Sequence, residues 1–175
     1  TMINRRQFVS RGLMTSAAAA MPAPLLAAPA KPDWILGLGD VLEDIPVQSL
    51  TRLHGKAPAL TGTLYRNGPA RFRRGASAAG HWFDGDGLVR AWRVADGEAR
   101  LAARFVDTPK RRLEERLGRM VQPGFGTPAG PGAEVAGPDG TNAANTNVIV
   151  AGNRLLALWE AGSATALDPE TLATQ

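Results

Sequence analysis

The chain has 175 residues, 44% hydrophobic and 21% charged, which is enough for the core of one globular domain. Its 20 glycines and 13 prolines favour turns over a helical bundle, and the absence of cysteine excludes disulfides and thiolate metal sites. The net charge of +4 comes largely from residues 1–30, which hold arginines and no acid, so the nearly balanced remainder argues against a nucleic-acid partner.

Residues 1–30 have the features of an export signal. The pair Arg5 and Arg6 is followed by Phe8 and then by a short, alanine-rich run that prolines interrupt. This order resembles a twin-arginine signal peptide, and Ala28 and Ala30 fit the small-residue rule for cleavage. We expect the export machinery to deliver the protein to a bacterial periplasm. An uncleaved membrane tether and a chance basic tail are the alternatives.

The following segments predict antiparallel strands. Residues 31–60 are expected to be irregular, although PVQSLTRLH at 46–54 could form a short helix. TGTLYRNGPARF at 61–72 predicts a short strand and then a turn at Asn-Gly-Pro. LVRAWRV at 88–94 alternates with period two, and the Asp-Gly pair at 96–97 predicts a hairpin turn into a returning strand.

The second half of the chain repeats this design. NVIVAGNRLLALWEAG at 147–162 predicts another hairpin, and a third begins before a turn at 168–171. KRRLEERLGRM at 110–120 predicts one short helix, and 121–147 predicts a long loop. The fold class is therefore all-β, and regular hairpins favour a sandwich or a propeller.

The segment GHWFDGDG at 80–87 has the composition of a metal site. A calcium loop needs a glutamate at its twelfth position, which counted from Asp84 is Ala95. A zinc or iron site needs more imidazoles, and the only other histidine is His54. We interpret the segment as a tight turn leading into a strand, with the side chains of 81–83 packed in the protein.

Three further candidates have simpler interpretations. The basic stretch at 110–120 is interrupted by Glu114 and Glu115, which favours a solvated helix face over a nucleic-acid patch. GFGTPAGPG at 124–132 lacks the ending of a phosphate loop, so it predicts an ordinary loop. Glu160 follows an apolar strand. The local sequence leaves two interpretations open: a surface glutamate, or a buried partner of a histidine or arginine.

Taken in order, five motifs resemble one family: GTLYRNGPARFRRG, GHWFDGDGLVRAWRV, ARFVDTPKR, NTNV, and LLALWEAG followed by LDPETL. The series resembles the N-terminal part of the carotenoid cleavage oxygenases, over about residues 35–175. The resemblance implies a seven-bladed β-propeller. Residues 61–175 would then form the first blades of an incomplete propeller, after a signal peptide at 1–30 and an irregular segment at 31–60.

The resemblance also implies a chemistry. Such enzymes use Fe(II), bound by four histidines, and O2 to cleave a conjugated C=C bond in a carotenoid or apocarotenoid to two carbonyl products. The iron ligands are expected beyond residue 175, so neither His54 nor His81 is expected to bind iron, and the chain alone is expected to be inactive. An apolar polyene and a peripheral membrane contact are implied partners. The alternative is a non-catalytic exported propeller that binds a lipophilic ligand or a protein.

The resemblance assigns roles to two residues. Glu160 matches a glutamate that accepts a hydrogen bond from the ring N–H of an iron-bound histidine, which favours the buried-partner interpretation. Phe105 matches a position near the substrate alkene. Stilbene-cleaving members typically have tyrosine there together with a lysine, and this chain has no lysine after Lys110. This difference favours an apolar substrate over a 4-hydroxystilbene.

Overall fold

Antiparallel strands joined by short turns dominate the computed structural model, which describes residues 39–56 and 59–175. These described residues are mostly β with one short helix, which confirms the predicted class. The elements in chain order are β1 (Ile45–Ser49), β2 (Gly62–Arg66), β3 (Pro69–Arg71), β4 (Arg73–Arg74), β5 (Ser77–Ala78), a 3-10 turn (Trp82–Asp84), β6 (Asp86–Ala95), β7 (Glu98–Phe105), α1 (Pro109–Leu117), a 3-10 turn (Pro138–Thr141), β8 (Asn147–Ala151), β9 (Arg154–Leu158) and β10 (Thr165–Leu167).

The larger sheet has the strand order β1-β7-β6-β2, and β3 also pairs with β6. Its centre is the predicted hairpin of β6 and β7. Asp96 and Gly97 both have positive φ, 53° and 76°, as the two central residues of a type I′ turn require. This turn matches the twist of the two strands and fixes their register.

The smaller sheet has the order β10-β9-β8, which confirms the second hairpin and the start of a third. Its inward side chains join those of β6 and β7 in one core, because each sheet alone has an apolar face to cover. The fully buried apolar residues of this shared core include Val89, Ala91, Leu155, Ala157 and Leu167.

Two sequence predictions about the first strands are wrong. Residues 46–54 do not form a helix, because Ile45–Ser49 pairs as β1 with the free edge of β7. The Asn-Gly-Pro segment does not turn the chain back, because β2 and β3 both pair with β6. Asn67 instead connects this segment to the backbone at and before the start of β8: its Nδ2 donates to the carbonyls of Ala144 (2.7 Å) and Asn147 (3.0 Å).

Helix α1 is confirmed, and its ends follow ordinary capping rules. The Thr108 hydroxyl accepts a hydrogen bond from the Arg111 amide (3.1 Å), and Gly118 ends the helix with φ of 64°. The predicted solvated face is only partly correct, because Lys110 and Glu114 are 2% and 0% exposed. No helix in the described part of the chain is long and apolar enough to cross a membrane.

Candidate functional site

Asp84 in the GHWFDGDG segment organises a loop. Its Oδ1 accepts a hydrogen bond from the Phe125 amide (2.6 Å), and its Oδ2 accepts from the Gly126 amide (2.9 Å) and the Thr127 hydroxyl (2.7 Å). The carboxylate is buried, and these donors replace the water that it gives up. Both oxygens of Asp84 are therefore engaged by the protein.

Asp86 belongs to a buried cluster of charges. It accepts from Lys110 Nζ (2.8 Å) and from Arg74 Nη2, and Lys110 also donates to Glu114 (2.9 Å). Burial alone would lower the pKa of Lys110, but the two carboxylates outweigh burial and raise it, so the side chain stays an ammonium. This cluster ties α1 to the start of β6.

The turn-and-strand interpretation of 80–87 therefore describes the segment, but one part of it is wrong. Trp82 and Phe83 are 50% and 48% exposed rather than packed inside. The 3-10 turn that they occupy is held by Asn145, whose Nδ2 donates to the carbonyls of Phe83 and Gly85 (2.6 Å each). The two aromatic side chains are left facing outward.

Neither histidine is grouped with other described residues as a metal site. His81 Nδ1 accepts from the Phe83 amide (3.1 Å), and its ring lies 4.8 Å from that of Phe125. His54 is exposed. Within 39–56 and 59–175, no three histidine, aspartate or glutamate side chains are grouped to hold a metal. The described residues therefore do not fit the ligand set of an iron centre.

The best candidate site is an open cavity of about 530 Å³ beside the end of β9. Its wall combines large aromatic side chains with several polar and charged ones, and small-molecule sites likewise combine apolar surface with polar groups that orient the ligand. Burial and the neighbouring Arg66 lower the pKa of Arg90 within it. The side chains that define the cavity are Trp82, Phe83 and Trp92 on the aromatic side, and Arg66, Arg90, Asn145, Thr146 and Glu160 on the polar side.

Glu160 lies at this cavity because a network of hydrogen bonds holds the turn after β9. Asp139 accepts from the amide (2.7 Å) and hydroxyl (2.9 Å) of Ser163, and Asn142 Nδ2 donates to the Ser163 carbonyl (2.8 Å). A side chain at Gly162 would put Cβ 2.7 Å from Asp139 Oδ1, so the Asp139 carboxylate would have to shift to admit one. The two Ser163 hydrogen bonds hold the pKa of Asp139 below its usual value.

Sequence reasoning missed this network. Asp139 and Asn142 lie in the segment predicted only as a long loop, and no local spacing connects them to Ser163. The sequence motif NTNV likewise does not single out Thr146 as a residue of the cavity. Its hydroxyl and amide both donate to the Leu158 carbonyl (2.8 and 3.1 Å), which places Thr146 near Glu160.

The predicted site residues are not all brought together. Glu160 is exposed, and it makes no hydrogen bond or ion pair with other described residues. Phe105 is 4% exposed, lies under the Arg111 guanidinium (4.9 Å) and lines a different cavity. Their roles stay predictions. The export-signal residues Arg5, Arg6, Phe8, Ala28 and Ala30 lie outside the described residues.

Antiparallel hairpins with an open cavity at the end of a strand define a β-sheet protein with a candidate small-molecule site. Residues 39–175 match the family model described as Retinal pigment epithelial membrane protein. The chain therefore belongs to this family of carotenoid cleavage oxygenases.

Individual relatives agree with this assignment. The chain is 43% identical over 146 residues to apocarotenoid-15,15'-oxygenase from Synechocystis, covering 81% of this chain and 28% of that protein. It is 33% identical over 139 residues to lignostilbene-alpha,beta-dioxygenase isozyme III from Sphingomonas paucimobilis, covering 78% and 26%. The chain thus spans less than a third of the relatives that it matches.

Solved structures of the Synechocystis apocarotenoid oxygenase share the fold. One variant superposes with a TM-score of 0.72 at 35% identity, covering 81% of this chain and 30% of that one. A cobalt-substituted form shows that this relative holds a metal, with a TM-score of 0.71 at 36% identity, covering 81% and 30%. Other variants carry substitutions at a threonine, a tryptophan and the glutamate directly after it. Thr146, Trp159 and Glu160 have the same spacing here.

Proposed function

We propose that the full-length protein is an Fe(II)- and O2-dependent oxygenase that cleaves a conjugated C=C bond in a carotenoid or apocarotenoid to two carbonyl products. The observation that carries the proposal is the cavity formed with Thr146 and Glu160, in a chain 43% identical to an apocarotenoid oxygenase. Four histidine ligands cannot all come from this chain, because it contains two histidines. The described residues would form one side of the site, within a seven-bladed propeller.

The aromatic wall of the cavity suits a polyene. Trp82, Phe83 and Trp92 present large apolar faces, and a volume of about 530 Å³ lies in the range of small-molecule sites. Binding a conjugated chain there would cover aromatic surface that is now exposed to water, which is favourable. These residues would bind and orient the substrate rather than react with it.

The proposed role of Glu160 is to position another residue. Its carboxylate would accept the ring N–H of an iron-bound histidine, and loss of such a partner typically costs 10–100-fold in metal affinity. We expect Glu160→Gln to bind iron about 10–100-fold more weakly, measured as the metal retained during dialysis against graded chelator. Glu98→Gln, at a residue 76% exposed at the start of β7 and outside the cavity, is the matched control. Equal iron affinity in both variants would contradict the role.

The proposed substrate class follows from Phe105. A phenylalanine offers no hydroxyl to engage a phenolic substrate, so we expect the full-length protein to cleave apocarotenals and not 4-hydroxystilbenes. Chromatography of both reactions with the same enzyme preparation measures this directly. Cleavage of 4-hydroxystilbenes but not of apocarotenals would overturn the assignment.

We also propose that residues 1–30 export the folded protein to a bacterial periplasm. The twin-arginine route requires the arginine pair itself and not merely positive charge. Replacing Arg5 and Arg6 with lysine is expected to leave the protein in the cytoplasmic fraction, whereas Arg11→Lys should export normally. Normal export of the double variant would refute the signal assignment.

A further inference from the structure

Among the described residues, three buried side-chain nitrogens lack a hydrogen-bond partner, and all three belong to two arginines. They are Nε and Nη1 of Arg71 and Nε of Arg74. Both arginines line one cavity of about 180 Å³, and Arg111 lines it as well. We propose that this cavity binds a small oxyanion, a carboxylate or a phosphate group.

The neighbouring carboxylates do not compensate Arg71. Asp86 is engaged by Arg74 Nη2 and by Lys110 Nζ (2.8 Å). Glu114 accepts from Lys110 (2.9 Å), and its Oε2 is 4.0 Å from Arg74 Nε. Each of these two carboxylates therefore already serves other cations, and none of the ion pairs among the described residues includes Arg71.

The third arginine adds positive charge to the same space. Arg111 pairs with Glu115, which also lines the cavity, and its guanidinium lies 4.9 Å above the Phe105 ring. Asp107 approaches Arg111 at 3.8 Å but is closer to Arg112, at 3.1 Å. Arg74 is paired with Asp86 and Arg111 with Glu115, so Arg71 supplies the uncompensated positive charge at the cavity.

The chemistry of guanidinium selects the ligand class. Its planar fork matches carboxylate and phosphate oxygens, and a buried N–H without an acceptor is costly to leave unpaired. A volume of about 180 Å³ is much smaller than the 530 Å³ of the cavity at Glu160. Because one water takes up about 30 Å³, the smaller cavity suits a small polar group rather than a polyene.

The test measures binding of inorganic phosphate and of acetate to the full-length protein, by calorimetry and by the thermal midpoint, at constant ionic strength set with chloride. The variant is Arg71→Gln. The matched control is Arg73→Gln, at an exposed arginine on β4 outside the cavity. We expect one of the two anions to raise the midpoint of the wild type and the control, and its affinity to fall at least tenfold in Arg71→Gln.

The oxyanion could instead be a carboxylate of the protein itself, from residues outside the described part. Added anions would then leave the wild type unchanged, while Arg71→Gln would lower the midpoint well below that of Arg73→Gln. Equal anion shifts in all three proteins would overturn the proposal. So would the absence of any shift together with equal stability of the two variants.

A second variant covers the case in which Arg71→Gln does not fold. Arg71→Lys keeps the positive charge and removes the planar fork, so we expect weaker anion binding than in the wild type. If the oxyanion is internal, the midpoint of Arg71→Lys should instead fall below that of Arg73→Gln. Anion affinity and stability both equal to those of the wild type would overturn the proposal.

Discussion

Asp84 and Asp86 stand two residues apart and hold different parts of the protein. Asp84 binds the loop at Phe125 through three donors, and Asp86 binds the cations of Arg74 and Lys110. The Asp-Gly-Asp spacing resembles a metal-binding loop. Here the two carboxylates instead hold a loop and helix α1 against the start of β6. The ligands of these carboxylates are the protein's own N–H, O–H and ammonium groups.

Removing the charge of Asp86 should be strongly destabilising. Asp86→Asn leaves Arg74 and Lys110 buried without full compensation, and breaking such a pair typically costs about 3–5 kcal/mol of the free energy of unfolding. Urea denaturation of the full-length protein measures the change. Asp96→Asn, the same substitution in an exposed turn, should stay within about 0.5 kcal/mol. Similar losses in both variants would show that the cluster contributes little.

The carboxyl group of Asp139 makes the stability of the turn that contains Glu160 depend on pH. Its pKa is lowered by the amide and hydroxyl of Ser163, so its contribution is present above the ordinary aspartate pKa and is lost as pH falls through the lowered value. Ser163→Ala removes the hydroxyl donor and should raise the pKa of Asp139, as followed by NMR titration. The control Thr171→Ala, in another turn, should leave it unchanged. An unchanged pKa in Ser163→Ala would contradict this.

The hairpins were predictable because their information is local. Alternating residues mark β6, and an Asp-Gly pair sets the turn before β7. The failures concern partners far along the chain. Nothing near Ile45 indicates pairing with β7, and nothing near Asn67 indicates a bond to Ala144. Likewise, the sequence of α1 predicts that its charged residues are solvated, because nothing local indicates that Asp86 contacts Lys110.

Helix α1 offers a test of the local rules themselves. Gly118 has φ of 64°, which residues with a Cβ adopt at a cost, and no heavy atom lies within 4 Å of a Cβ built there. Gly118→Ala should therefore lower the free energy of unfolding by about 1 kcal/mol through backbone strain alone. Gly68→Ala, where φ is not positive and the nearest atom is 3.9 Å away, is the control for chemical denaturation. Equal stability of the two variants would count against the strained cap.

The larger and the smaller sheet described above leave apolar surface on their outer strands. Val47 on β1, Leu64 on β2 and Val150 on β8 are about 60% exposed, at 62%, 59% and 63%. Exposed apolar edges invite pairing with other chains. In a larger propeller such surfaces would be covered by neighbouring blades, which agrees with a chain that matches about 30% of its solved relatives.

The isolated polypeptide of residues 39–175 should therefore self-associate. We expect sedimentation velocity to show concentration-dependent oligomers, and lysine at positions 47, 64 and 150 to suppress them, because charge on an edge strand opposes pairing. Gln48→Lys, which adds charge at an already polar position, is the control and should change little. A monomer at all concentrations would show that these edge strands do not drive self-association.

The most direct test of the proposed activity is product analysis with the full-length protein. The purified, iron-loaded protein is mixed with an apocarotenal in air, without O2, and after removal of iron by a chelator, and the products are identified by mass. We expect two carbonyl fragments only when both iron and O2 are present. Tight binding of the apocarotenal by the iron-loaded protein in air, without cleavage, would contradict the oxygenase assignment and favour a non-catalytic lipophilic-ligand binder.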